Sequence, residues 1–136
     1  MKSKRVSSLK KKAWILCSEY NRRKDADWKG EVKCVTCGKR MHWTEGDAGH
    51  YEPGRNNSIL FYDNGIHFQC KPCNAGFRNQ KLSSKEVSIS YDKYMKKRYG
   101  AGEVKKIKKL KIPTKTFTPK ELEDLIQAYQ AKLKEL

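Results

Sequence analysis

Cys34-Val-Thr-Cys37-Gly38 and Cys70-Lys-Pro-Cys73-Asn74 constrain the architecture more than any other part of the sequence. Each carries a C-x-x-C pair, and 32 residues lie between Cys37 and Cys70. One such pair can turn two thiolates onto a cation, and two pairs complete a closed tetrahedral site of the structural zinc type. Gly38, directly after the first pair, suits the tight turn that such a knuckle needs. The spacing exceeds that of a simple zinc ribbon, so the metal would clip together the two ends of a substantial insert. A redox role would need a pair beside a βαβ pattern, and the sequence shows none. Cys34, Cys37, Cys70 and Cys73 are therefore expected to hold one structural Zn2+. The fifth cysteine, Cys17, falls on an apolar helix face and reads as a small buried hydrophobe.

A metal staple suits the composition. The chain has 136 residues, the length of one domain, and 37% of them are hydrophobic against 34% charged. So short a chain with so little apolar surface calls for a crosslink or a metal. An odd cysteine count, with no apolar secretory segment behind Met1-Lys-Ser-Lys-Arg-Val, favours ligation over disulfides. No apolar run approaches the ~18 residues of a membrane span. A cytoplasmic protein with no membrane partner is expected. The 31 Lys and Arg against 15 Asp and Glu leave a formal net charge of +16, which points to a polyanionic partner, most simply nucleic acid.

Outward from the cysteines, the expected organisation is a single domain over 1–136 of mixed α+β class. Residues 1–30 form a basic N-terminal helix. From Ser8 to about Trp28, Leu9, Ala13, Trp14, Leu16, Cys17 and Tyr20 recur at three- and four-residue steps, and Lys10, Lys11, Lys12, Arg22, Arg23 and Lys24 fill a basic outer side. Residues 31–82 hold the zinc-clipped core. There, Ser58–Tyr62 and Ile66–Gln69 look extended, and Asp63-Asn64-Gly65 between them is a hairpin-turn signal. Residues 83–136 are helical. Ser83-Ser-Lys-Glu86 and Thr118-Pro-Lys-Glu121 are capping boxes, Gly100 and Gly102 supply a stop, and a lysine-rich connector occupies 103–116. The last helix, with Leu122, Leu125, Ile126, Tyr129 and Leu133 on one face, is assigned to packing or dimerisation.

Between the cysteine pairs stands Asp47-Ala-Gly-His50-Tyr51, and Asn74 follows the second pair at once. Phosphodiester hydrolysis needs a base to activate water, a cation to stabilise charge at phosphorus and the leaving oxygen, and surrounding positive charge. His50, Asn74 with a hydrated Mg2+, and Lys71, Arg78 and Lys81 could supply these in turn. Arg55, Asn56 and Asn57 follow in a Pro-Gly loop and could meet the backbone near the cleaved bond. His67 could contact phosphate, substitute for a missing ligand, or serve as a structural histidine of the hairpin. His42, beside Trp43, reads as a surface residue of the first cysteine loop.

Cys34-x-x-Cys37, Asp47-Ala-Gly-His50-Tyr51, Gln69-Cys70-x-x-Cys73-Asn74 and Tyr91…Tyr99-Gly100 resemble the NinG (Rap) recombination proteins of lambdoid phages, over roughly Trp14 to the C-terminus. The cysteine pairing with its trailing Asn is also similar to phage endonuclease VII. The resemblance implies a ββα-metal (HNH-like) core flanked by helices and a structure-specific endonuclease acting on Holliday junctions and D-loops, in the host cytoplasm. By position it makes the four cysteines zinc ligands, His50 the general base and Asn74 a ligand of a catalytic Mg2+ or Mn2+. Gly49 stands where many HNH nucleases have a metal-binding Asp. Asp47, three residues before His50, could reach the cation only across a bend at Ala48-Gly49. Alternatively, the motif resembles the Asp-Arg-Gly-His of non-specific ββα-metal nucleases, in which one Asn is the sole protein ligand. The family's middle Asn falls on Gly65, with Asn64 one residue early and available to brace the His50 loop. The expected partner is branched DNA selected by shape, and paired cutting of a junction would favour a homodimer. The rival readings are a non-catalytic zinc module that binds nucleic acid and a sequence-specific HNH nuclease.

Overall fold

Apolar residues at helical spacing need a surface to cover, and α1 finds two. The computed structural model describes residues 2–75 and 82–136. Within them α1 spans Lys2–Arg23 and buries Ala13 and Cys17 completely. It begins before Ser8 and ends before the expected Trp28, because Asp27 organises the chain beyond it. The Asp27 Oδ1 accepts the backbone N–H groups of Lys29 and Glu31, each at 2.9 Å, a side-chain turn that competes with helix. Lys24 departs from the expected basic outer side. Its Nζ donates to the Asp63 and Ile66 carbonyls at 2.9 and 2.8 Å.

Strand β1 (Glu31–Lys33) pairs antiparallel with β2 (Arg40–His42), and the first cysteine pair occupies the turn between them. Gly38 stands there at φ +79°, as its position after Cys37 requires. Strand β3 (Gly46–His50) pairs antiparallel with β4 (Ile66–Cys70), placing Gly46 opposite Cys70 and His50 opposite Ile66. Helix α2 (Lys71–Ala75) follows β4 without a break.

The hairpin expected across Asp63-Asn64-Gly65 does not form. Residues 58–62 coil through turns, with the Ile59 N–H on the Asn56 carbonyl at 3.0 Å and the Tyr62 N–H on the Ile59 carbonyl at 3.1 Å. Ile59 and Leu60 are neighbours in sequence and both buried, which the alternation of a half-buried strand does not allow. The Asp63–Gly65 segment is a 3-10 turn feeding β4. The true partner of β4 is a glycine-rich strand. A Cβ on Gly49 would lie 1.8 Å from the Gln69 Oε1, and one on Gly46 would lie 2.4 Å from the Phe68 ring. The glycines are the condition of that close approach.

Helix α3 (Ser84–Tyr99) opens on the Ser83–Glu86 capping box and stops at Gly100, φ +88°. Part of the expected connector is helical: α4 spans Ala101–Leu110, and Val104 and Ile107, three residues apart, are buried beside Tyr91 and Met95. Gly102 lies within it rather than stopping a helix. Helix α5 (Pro119–Lys134) opens on the Thr118–Glu121 box and lays Leu122, Ile126 and Tyr129 along α1. All five β4 residues are buried, because helices cover the β3–β4 pair on both faces. Ala48 and Ile66 pack with Cys17 and Tyr129, while His67 packs against Tyr91, Tyr94 and Tyr99. Asp63 ties these layers, accepting from the Asn21 amide at 3.0 Å, the Tyr129 hydroxyl at 2.7 Å and the Lys132 ammonium at 2.7 Å. Among the described residues, no helix is long and apolar enough to cross a membrane.

Candidate active site and metal centre

The β1–β2 turn and the start of α2 bring their cysteines together. The sulfurs of Cys34, Cys37, Cys70 and Cys73 all lie within 4.8 Å of one another, and the Cys37–Cys70 pair is 3.7 Å apart. A tetrahedron of thiolates at a Zn–S distance of about 2.3 Å has edges of about 3.8 Å, so the donor set could hold zinc. A supporting chain reaches this cluster from β4. The Gln69 amide donates to the Thr36 hydroxyl at 3.3 Å, which leaves that hydroxyl to donate to the Cys34 sulfur at 3.2 Å. Burial pushes the Cys34 thiol up, but the backbone N–H of Cys37 and the Thr36 hydroxyl outweigh it, and the pKa settles at about 7.

His50 ends β3, and its environment determines which nitrogen is basic. The imidazole stacks on Trp14, with centroids 5.1 Å apart and planes 19° from parallel. Its Nε2 lies 3.1 Å from the Leu60 carbonyl oxygen. A carbonyl only accepts, so Nε2 carries the proton and Nδ1 keeps a free lone pair. Burial lowers the His50 pKa below its usual 6.5, opposed by the Leu60 carbonyl and assisted by the Arg55 charge. The ring is thus neutral at neutral pH with Nδ1 available as a base. Tyr91 steadies the strand beside it, donating its hydroxyl to the Gly49 carbonyl at 2.6 Å.

His50 borders a cavity of about 890 Å³ that Asp47, Arg55, Lys71 and Asn74 also line. The pairing of β3 runs unbroken from Gly46 to His50, so there is no bend at Ala48-Gly49. Consecutive residues Gly46, Asp47 and Ala48 line the cavity. It therefore follows the strand's edge rather than one pleat face, and Asp47 and His50 share it despite their odd spacing. Asp47 meets α2 directly: its Oδ1 accepts from the Lys71 ammonium at 2.9 Å and its Oδ2 from the Asn74 amide at 3.1 Å. The carboxylate oxygens of Asp47 are hard donors of the kind Mg2+ or Mn2+ takes, and the Asn74 amide, which here turns its nitrogen to them, carries another on its oxygen.

The remaining candidates are scattered. Arg55 stands at φ +48° with its guanidinium 4.6 Å from the Trp14 ring centroid. Asn64 is drawn away to α4, donating to the Glu103 carboxylate at 2.9 Å, and the Gly65 carbonyl instead accepts the Tyr51 N–H at 2.8 Å. His67 has no exposed surface. Its ring nitrogens meet the Tyr99 hydroxyl at 2.8 Å and the Tyr91 hydroxyl at 3.3 Å. Burial, with the nearby Lys24 and Arg98 charges, pushes its pKa down to about 2. His42 does more than sit at the surface: it caps the 3-10 turn Trp43–Glu45. Arg78 and Lys81 lie outside the described residues.

Sequence reasoning missed the cavity wall that α1 provides. Trp14, Ser18 and Arg22 all line it. Their four-residue spacing puts them on one stripe of the helix, and an Arg and a Trp sharing that stripe was the available signal. Arg22 therefore belongs to the cavity and not to the basic outer side.

Fold and site together define a mixed protein of helices and small sheets built on a four-cysteine cluster, with a histidine- and asparagine-lined cavity beside it. The family model described as Bacteriophage Lambda NinG protein matches residues 1–136, and the chain belongs to that family. No curated protein and no solved structure matches it.

Proposed function

We propose that this protein is a structure-specific DNA endonuclease of phage recombination, hydrolysing phosphodiester bonds in branched intermediates such as Holliday junctions and D-loops. The observation that carries the reading is His50, neutral, with Nε2–H committed to a backbone carbonyl, bordering the same cavity as the Asp47–Asn74 pair. In this reading β3, β4 and α2 are a ββα-metal core and the four cysteines hold structural Zn2+. Asp47 and Asn74 are the residues that would hold Mg2+ or Mn2+, which would supply charge stabilisation at phosphorus and the leaving oxygen. That cation would compete with the Lys71 ammonium for the Asp47 carboxylate.

The work of the chain's own residues follows from their positions. His50 Nδ1 takes a proton from water as the water oxygen bonds to phosphorus. One P–O bond to the sugar breaks, and the leaving oxygen takes up a proton from solvent. Trp14 and the Leu60 carbonyl hold the imidazole in one tautomer and orientation. Arg55 and Arg22, on the same cavity, face the phosphate charge. The net charge of +16 and the exposed Lys105, Lys106, Lys108 and Lys109 of α4 suit duplex arms contacted through their phosphates.

The test is divalent-dependent cleavage of a four-way junction by His50→Ala. The rate should fall at least ~10²-fold, the usual worth of a general base, with zinc content and DNA affinity near those of wild type. Because burial lowers the His50 pKa, the base form persists as pH falls through 6.5, and the acid limb of the wild-type rate should lie below that value. A His50→Ala protein that cuts as fast as wild type at saturating cation would overturn the mechanism. A wild-type protein that binds DNA and never cuts it would leave the non-catalytic zinc module in its place.

A further inference from the structure

Beyond Arg22, away from His50, lies a second cavity of about 490 Å³ lined by Trp28, Trp43, Arg23, Lys29 and His42. Trp28 is 89% exposed. A side chain that gains so much from burial is rarely left in water, so an exposed one is informative. The ring stands on a fixed base. The preceding residue, Asp27, accepts two backbone N–H bonds at 2.9 Å and pairs with the Arg40 guanidinium at 3.0 Å.

Both indoles of this cavity have cations against them. The Lys29 ammonium is 5.1 Å from the Trp28 ring centroid, and the Arg22 and Arg23 guanidinium groups are 5.1 and 5.3 Å from that of Trp43. Three acids nearby are engaged: Asp27 by Arg40, Glu19 by Arg23 at 2.8 Å, and Glu45 by the His42 N–H at 2.9 Å. Aromatic faces interleaved with cations are what a single strand requires, the faces for bases and the cations for phosphates. Arg22, whose guanidinium lies against Trp43, also lines the His50 cavity, so one side chain touches both that indole and that cavity.

We infer that Trp28 and Trp43 form a stacking platform for unpaired bases of the DNA strand that enters the His50 cavity. The inference rests on the endonuclease reading and deepens it by naming the feature read. In linear duplex the bases are stacked on one another and offer no face to an indole, whereas the displaced strand of a D-loop, a single-stranded end or a base unstacked at a branch point does. Selection by shape would then come partly from these two rings rather than from charge alone.

The experiment is equilibrium binding of the zinc-loaded full chain, without added divalent cation, to oligothymidylate, to a fork with unpaired bases and to linear duplex. Trp28→Ala should weaken binding to the first two by about tenfold, in the range for loss of one stacked base, and leave the duplex unchanged. Trp28→Phe should restore most of the loss. Trp28 is 89% exposed and outside the buried core, so these variants should be soluble and hold zinc. Equal binding of all three DNAs by Trp28→Ala and wild type overturns the platform, as does a loss of the same size on duplex. If that happens while wild type still cuts a junction and His50→Ala does not, only the platform falls. Wild type that binds none of the three overturns the platform and the endonuclease reading together.

Discussion

The β3–β4 hairpin with its cysteines and the α1–α5 helix pair adjoin each other and are held by different physics. Along α1 and α5, Ala13, Cys17, Leu122, Ile126 and Tyr129 are buried in an apolar seam of the ordinary kind. The hairpin has less to offer. Its first strand reads Gly-Asp-Ala-Gly-His, and its second buries a histidine and a glutamine. The sulfur cluster sits at one of its ends, at Cys70 and Cys73, and the contacts along the rest are polar: Tyr91 on Gly49, Gln69 on Thr36, Lys71 and Asn74 on Asp47. A metal held by those sulfurs would give rigidity with few residues. That would leave the strand edge free to carry polar groups into a cavity, which an apolar seam cannot do.

The largest effect should therefore come from the metal ligands. Cys70→Ser should lose bound zinc by elemental analysis and melt the hairpin, since structural zinc contributes about 10–16 kcal/mol of apparent binding energy to small domains. Amide exchange should show protection lost first in β3, β4 and α2 and retained longest in α1 and α5. Retained zinc with an ordered hairpin would break the comparison. Next comes Leu122→Ala, which removes a fully buried side chain from α5. It should cost about 2–5 kcal/mol in urea unfolding, as large-to-small core changes do, while the purified protein keeps its zinc. Zinc loss in this variant would mean that the two regions unfold as one. The smallest effect is Thr118→Ala, which removes the hydroxyl that accepts the Glu121 N–H at 3.2 Å and opens α5. A loss of about 1 kcal/mol is expected, again without change in zinc content or in junction cleavage.

Legibility in the sequence followed the range of the forces. Both capping boxes stand where Ser83, Glu86, Thr118 and Glu121 place them, because a cap closes within four residues. Gly38 and Gly100 turn the chain at positive φ for equally local reasons. The strand Gly46–His50 was illegible, since nothing in it favours extension; it is a strand because Gln69 and Phe68 cross over its glycines. Ser58–Tyr62 looked extended on propensity and became turns, because Ile59 and Leu60 both find the core there. Helix α4 was hidden among lysines, with Val104 and Ile107 as its only buried anchors.

Which four cysteines would cluster could be read from the two C-x-x-C pairs alone, and residue type and place drew attention to His50 and Asn74. The sequence also carried the charge that suits a polyanion, because charge is a sum over residues and needs no fold. The remainder came from packing. It placed Asp47 against Asn74, laid Trp14 on the imidazole, aimed Nε2 at the Leu60 carbonyl and so left Nδ1 basic, and turned Arg22 into the cavity. Each of these joins residues from different elements. Their distances depend on how helices and strands pack, which no spacing along the chain records.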